Sequence, residues 1–152
     1  WLKEHEPETI EKTRWVFACK DYVRFRLTGE AYAERTDYSG CNLVNLHTGE
    51  YDPELIELLG RSEMLDKLPP LKYSTDICGG ITEEAAKKTG LKAGTPVAGG
   101  AFDIDACALA VGITDEERAC MIAGTWSINE YIRKTPVTDG SVMMNSFFCL
   151  PD

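Results

Sequence analysis

Asp103 stands where a carboxylate can do chemistry. It closes the run Pro96-Val97-Ala98-Gly99-Gly100-Ala101-Phe102-Asp103, which reads as a short apolar strand, a glycine pair, an acidic residue and then a small-residue helix around Ala106–Ala110. In open α/β sheets ligands collect outside strand ends, and glycines there let a substrate approach the backbone closely. A carboxylate beside a hydroxyl can take its proton as the oxygen attacks phosphorus, a role that contributes ~10²–10⁴-fold in rate. The same residues also suit a plain helix N-cap by Asp103 or Asp105. On residue pattern alone both readings stand.

Gly124-Thr125 is the second candidate. A Gly-Thr turn between two strands offers backbone N–H groups and a hydroxyl that can cradle a phosphate; it is equally an ordinary hairpin turn whose Thr bonds locally. Lys20-Asp21-Tyr22 places an Asp at a helix start, where it reads as an exposed cap. Glu83-Glu84 and Lys87-Lys88 read as solvated helix surface with i,i+4 pairing. Trp15, Phe17, Tyr22 and Phe25 read as core rather than as a platform for stacking a sugar.

The elements that must position these groups follow from periodicity and punctuation. Residues 7–14 predict a helix with Pro7 in its first turn, and Trp15-Val16-Phe17-Ala18 predicts a buried strand. Asp21 to Leu27 predicts a helix stopped by Gly29. Thr36-Asp37-Tyr38-Ser39 predicts a helix start, and Asp52-Pro53 opens another helix closed by Gly60. Leu68-Pro69-Pro70-Leu71 predicts an extended connector. Thr82 caps a helix that ends at Gly90. Cys120–Ala123 and Ser127–Ile132 predict a hairpin with Gly124-Thr125-Trp126 at its turn.

Composition narrows the class. The chain has 152 residues, enough for one domain with a core. Its 25 acidic residues outnumber 16 basic ones, which argues against nucleic acid as a partner. No apolar run approaches the roughly 20 residues of a membrane span. The six cysteines form no C-x-x-C pair, and His5 and His47 lie far from any Cys at ligand spacing. No metal ligand is assigned, and the cysteines read as reduced thiols of a cytoplasmic protein. Trp1-Leu2 reads as the tail of an apolar helix face, with no signal-peptide pattern.

The order of motifs carries more than any one of them. The series Lys20-Asp21-Tyr22, Leu27-Thr28-Gly29-Glu30, Thr36-Asp37-Tyr38-Ser39, Leu68-Pro69-Pro70-Leu71, Cys78-Gly79-Gly80-Ile81-Thr82, Thr89-Gly90-Leu91-Lys92-Ala93-Gly94-Thr95-Pro96-Val97, Asp103 and Gly124-Thr125 resembles the FGGY carbohydrate kinases over nearly the whole chain. Trp1–Glu8 and Gly99–Asp103 look most like the L-xylulose kinase branch. The resemblance implies an α/β, ribonuclease H-like fold of the actin/Hsp70/sugar kinase superfamily, with ATP and Mg²⁺ in a cleft between two domains. It implies that Asp103 is the catalytic base, and that Gly124 and Thr125 form the second phosphate-binding turn. Phe102 and Asp103 would lie against the sugar; most members carry Gly or His where Phe102 stands. Residues 1–112 would be the later part of the N-terminal domain, and 113–152 the start of the C-terminal one. The family's first phosphate loop and adenosine-binding glycines find no match. The resemblance therefore implies an internal fragment, inactive alone, of an enzyme that phosphorylates a ketopentose such as L-xylulose and is allowed to form a homodimer when complete. A non-catalytic sugar-binding module of the same fold and a glycerol-type polyol kinase are the competing readings.

Overall fold

The computed structural model describes residues 1–60 and 62–150. Two short helices, α1 (Leu2–His5) and α2 (Pro7–Lys12), open the chain. Pro7 sits at the first position of α2, where its missing N–H has no intrahelical role. Trp15–Ala18 does not form the expected strand. The segment is extended, but its neighbours are not strands. The Val16 N–H donates to the Lys67 carbonyl at 2.9 Å, and the Tyr38 hydroxyl donates to the Val16 carbonyl at 3.0 Å. Without an adjacent strand there is no ladder to join.

Helix α3 (Cys19–Thr28) ends on Gly29 in the left-handed conformation, as its sequence predicts. Strand β1 (Ala33–Glu34) runs directly into α4 (Arg35–Gly40). The cap of α4 is Glu34, two residues earlier than expected: its carboxylate accepts from the Thr36 and Asp37 N–H groups. Helix α5 (Pro53–Leu58) has the expected Asp52 cap and Pro53 start. A 3₁₀ turn (Ser62–Lys67) and the two prolines then lead into β2 (Leu71–Lys72), which lies parallel to β1 with Ala33 opposite Leu71.

Strand β3 (Ile77–Gly80) pairs antiparallel with β4 (Pro96–Ala98), and α6 (Glu83–Thr89) lies between them in sequence. Thr82 caps α6 by accepting from the Ala85 N–H, Gly90 ends it in the left-handed conformation, and Lys88 pairs with Glu84 at 2.6 Å. Helix α7 (Asp103–Ala110) follows β4, and β5 (Ala119–Ala123) pairs with β6 (Ser127–Tyr131) in the predicted hairpin.

Among the described residues two clusters of buried apolar side chains form. The first holds Ala33, Tyr38, Val44, Ile56 and Leu68, with Phe147 packed against it. Burying a side chain such as Ile56 fully stabilises by roughly 1.5–3 kcal/mol. The second cluster, Ala108, Ile113 and Cys120, with Ile122, Ile132 and Phe148 beside them, fixes α7 to the hairpin. The aromatics Phe17, Tyr22 and Phe25 are not core. Phe17 stacks on Phe25 at 5.1 Å, Tyr22 is exposed, and with Arg14 and Trp15 they line a shallow surface groove. Among the described residues no two cysteines are joined in a disulfide, as their spacing predicts. Among the described residues no helix is long and apolar enough to cross a membrane, and no three His, Cys, Asp or Glu residues gather as a metal site.

Candidate active site

A buried polar network forms the base of the site, and sequence reasoning missed it. Asp21 is not an exposed cap. Helix α3 starts at Cys19 with Ala18 before it, so Asp21 falls inside the first turn and turns inward, fully buried. Its carboxylate accepts from the Glu34 N–H at 2.9 Å and pairs with Lys20 at 3.0 Å and Arg24 at 2.9 Å. Lys20 also reaches Glu34 at 3.2 Å and Asp37 at 2.9 Å. Burial alone would lower the Lys20 ammonium, but the charge of Asp21 and the hydrogen bond to Asp37 outweigh it and hold the proton more tightly than usual. Three carboxylates share two cations here, so the cluster carries excess negative charge. Asp37 is accordingly raised as well, by burial first and then, against the pull of Lys20, by Asp21 and Glu34. The signal that could have revealed the network is Asp21 and Arg24 at i,i+3, one face of one helix.

This network holds the loop that ends in Asp103. The Arg24 guanidinium donates to the Gly99 carbonyl. The Gly99 N–H donates to the Asp76 carbonyl at 2.9 Å, and the Gly100 N–H to the Ser74 carbonyl at 3.0 Å. Gly99 was expected to leave room for a substrate. Instead, a Cβ there would lie 2.3 Å from the Tyr73 carbonyl oxygen, so protein backbone fills that space. Gly100 has φ +84°, which accounts for glycine at the second position. The Phe102 N–H donates to the Thr36 hydroxyl at 2.9 Å, and that hydroxyl donates to Glu34 at 2.6 Å. The Phe102 ring is half-buried and packs over Gly40, where an added Cβ would lie 3.2 Å from it.

Neither aspartate caps α7. The N-cap residue is Phe102, with no side-chain cap. Asp103 is the first helical residue; it is exposed, and its carboxylate has no hydrogen-bond or ion-pair partner among the described residues. Asp105 is 1% exposed, with one oxygen unpartnered, as is one oxygen of Glu130 on β6. Burial, and then the charge of Glu130, push Asp105 up to about 8, so the two carboxyls hold a proton between them at neutral pH.

Gly124 and Thr125 lie at the hairpin turn, between the paired residues Ala123 and Ser127. The Gly124 N–H is already committed to the Trp126 carbonyl at 3.1 Å. The turn therefore offers an anion the exposed N–H and hydroxyl of Thr125, and an approach at Gly124 that no side chain blocks. No hydrogen bond joins this turn to Asp103 among the described residues; the second apolar cluster connects their two elements.

Residues 1–110 match the N-terminal domain of the FGGY family of carbohydrate kinases. The chain belongs to that family. Over 128 residues it is 47% identical to a probable L-xylulose kinase of Pasteurella multocida, covering 84% of this chain and 26% of that protein. It is 46% identical over 134 residues to the L-xylulose/3-keto-L-gulonate kinase of Escherichia coli, covering 88% of this chain and 27% of that protein. A solved, ligand-bound xylulose kinase from Lactobacillus acidophilus superposes on 93% of this chain and 28% of its own with a TM-score of 0.80 at 28% identity. The fold expected of an FGGY kinase is thus borne out. The chain spans about a quarter of the length of these curated relatives.

Proposed function

We propose that this FGGY chain carries the catalytic base of an ATP-dependent kinase that phosphorylates a sugar hydroxyl, with a ketopentose such as L-xylulose as substrate. The observation that carries the reading is the Asp103 carboxylate: exposed, without a hydrogen-bond or ion-pair partner among the described residues, and set at the end of a loop that is anchored from beneath by Arg24, Ser74, Asp76 and Thr36. A cap or a structural ion pair would use its oxygens; a base must keep them free for a substrate. The curated relatives named as L-xylulose kinases give the substrate class.

In this mechanism Asp103 takes the proton of the sugar hydroxyl as that oxygen bonds to the terminal phosphorus of ATP and the bond to ADP breaks. Phe102 adjoins the sugar and holds the preceding backbone against Gly40. The Thr125 N–H and hydroxyl, with the open approach at Gly124, would receive phosphate oxygens. The exposed Asp103 carboxylate suits Mg²⁺, an ion commonly held by one or two carboxylates together with substrate phosphates. When bound, it would supply neutralisation of phosphate charge.

Residues 1–112 are assigned to the first domain and 113–152 to the opening of the second, a division supported by the end of α7 and the left-handed Gly112 behind it. A cytoplasmic location is proposed from the spacing of the six cysteines, none of which stands in a C-x-x-C pair. The test is Asp103→Asn in the full-length protein, assayed by coupled ADP release with a panel of ketopentoses and with glycerol. Asn has the size of Asp without its basicity, so kcat should fall at least ~10²-fold with sugar and ATP KM little changed. Retention of more than about a tenth of kcat would remove Asp103 from the role of base. Preference for glycerol would favour the polyol reading. Sugar binding without any turnover in the wild type would favour the binding module.

A further inference from the structure

The Asp103 carboxylate has no hydrogen-bond or ion-pair partner among the described residues, so its location is set by its backbone. On the N-terminal side the nearest anchor of that backbone is a single hydrogen bond, from the Phe102 N–H to the Thr36 hydroxyl at 2.9 Å. We propose that Thr36 is a positioning residue for phosphoryl transfer, its hydroxyl fixed by Glu34 so that it holds the Phe102–Asp103 peptide where the base is needed. The proposal rests on the reading of Asp103 as base.

The chemistry of the hydroxyl makes this bond one-directional. A hydroxyl has one proton and two lone pairs. Thr36 spends its proton on Glu34 Oε2 at 2.6 Å, a short bond of the charge-assisted kind. Only lone pairs are left to face Phe102, and Phe102 presents an N–H. Glu34 is itself immobile. It is fully buried; its Oε1 accepts from the Thr36 N–H at 3.0 Å and the Ser74 hydroxyl at 2.8 Å, and its Oε2 faces Lys20 at 3.2 Å. Thr36 is 2% exposed, so water does not compete for the bond. Ser74 adds a second tie, because its carbonyl accepts the Gly100 N–H while its hydroxyl bonds the same Glu34. One buried carboxylate thus holds the loop before Asp103 at two points.

The experiment uses the full-length protein and ADP release with L-xylulose. Thr36→Val keeps the shape and removes the hydroxyl. Displacement of the base by an ångström or so predicts a kcat loss of ~10–100-fold, with sugar and ATP KM within about threefold of wild type. Thr36→Ser, which restores the hydroxyl, should keep kcat within about threefold of wild type. The deciding readout is the double variant. Because Thr36 is argued to act through Asp103, Thr36→Val should cost less than about twofold when added to Asp103→Asn, whereas a general structural role lowers both backgrounds alike. Thr36→Ala is measured alongside, so that poor packing of Val does not decide the result. The proposal is overturned if Val and Ala both keep more than about half of kcat, if Ser fails to rescue, or if the loss is undiminished in the Asp103→Asn background. It is equally overturned if neither Val nor Ala gives a folded protein by circular dichroism, since Thr36 is then a folding determinant. Failure of the base reading is seen separately, as activity surviving in Asp103→Asn alone.

Discussion

At the scale of single residues, two aspartates of α7 have opposite environments. Asp103 and Asp105 are two positions apart, which on a helix is about 200° of rotation, so one faces solvent while the other is driven into the packing against β6. Sequence could nominate both but could not say which side was buried, because the partner, Glu130, lies 25 positions later on an element whose register was not legible. The buried pair gives a pH prediction. A free Asp titrates near about 3.9, and burial followed by the Glu130 charge raises Asp105 to about 8. Its protonated form therefore favours the folded state; that contribution is complete below about pH 4 and is lost as pH rises through about 8. Asp105→Asn removes the titration while retaining the ability to hydrogen-bond Glu130. The midpoint of thermal unfolding, measured from pH 5 to 9, should favour the Asn variant increasingly as pH rises. Parallel curves for the two proteins would show that Asp105 does not titrate in this way.

Among the elements, what was legible is what local chemistry decides. Thr82 and Gly90 bracket α6, Asp52 opens α5, Gly29 ends α3, and the hairpin of β5 and β6 falls where alternation placed it. Each depends on residues within a few positions of one another. The misreadings involve distant partners. Trp15–Ala18 has strand-like residues but no strand beside it, and Thr36 yields the cap to Glu34, whose carboxylate is held by Lys20 and Ser74 from other elements. The family resemblance nominated Asp103, but the network beneath it was invisible because Asp21, Glu34 and Ser74 meet only in the fold. Two glycines show the same limit. Gly90 and Gly99 look alike in sequence, yet they should respond differently to Ala. At Gly90 nothing lies within 4 Å of an added Cβ, so the cost is the left-handed backbone alone, about 1–2 kcal/mol. At Gly99 the Cβ would meet the Tyr73 carbonyl at 2.3 Å, and the loop leading to Asp103 must move. A destabilisation of about 3 kcal/mol or more is expected there, with kcat reduced as well. Chemical denaturation of both variants compares them; equal losses would mean that the loop yields easily and that its anchors are weak.

The properties of the whole molecule bear on what these 152 residues can do alone. Phosphoryl transfer asks a protein for little covalent chemistry and much positioning and charge neutralisation. On the proposed reading this chain supplies the base, but its charge runs the wrong way for a polyanionic nucleotide, at −9 overall. Two cations beneath the loop that leads to Asp103 are committed: Lys20 to Asp21, Glu34 and Asp37, and Arg24 to Asp21 and the Gly99 carbonyl. At the hairpin turn one of the N–H groups that would face a phosphate is spent on Trp126. The isolated 152 residues should therefore show no ADP release above background with ketopentoses and Mg-ATP, while the full-length protein turns over. Titrating the fragment with ATP in a calorimeter gives a second readout, and no saturable heat is expected at millimolar nucleotide. Turnover by the fragment at a rate comparable to the full-length protein would show that Asp103 and the Thr125 turn suffice for transfer, and that the neutralising charge comes from residues assigned here to purely structural pairs.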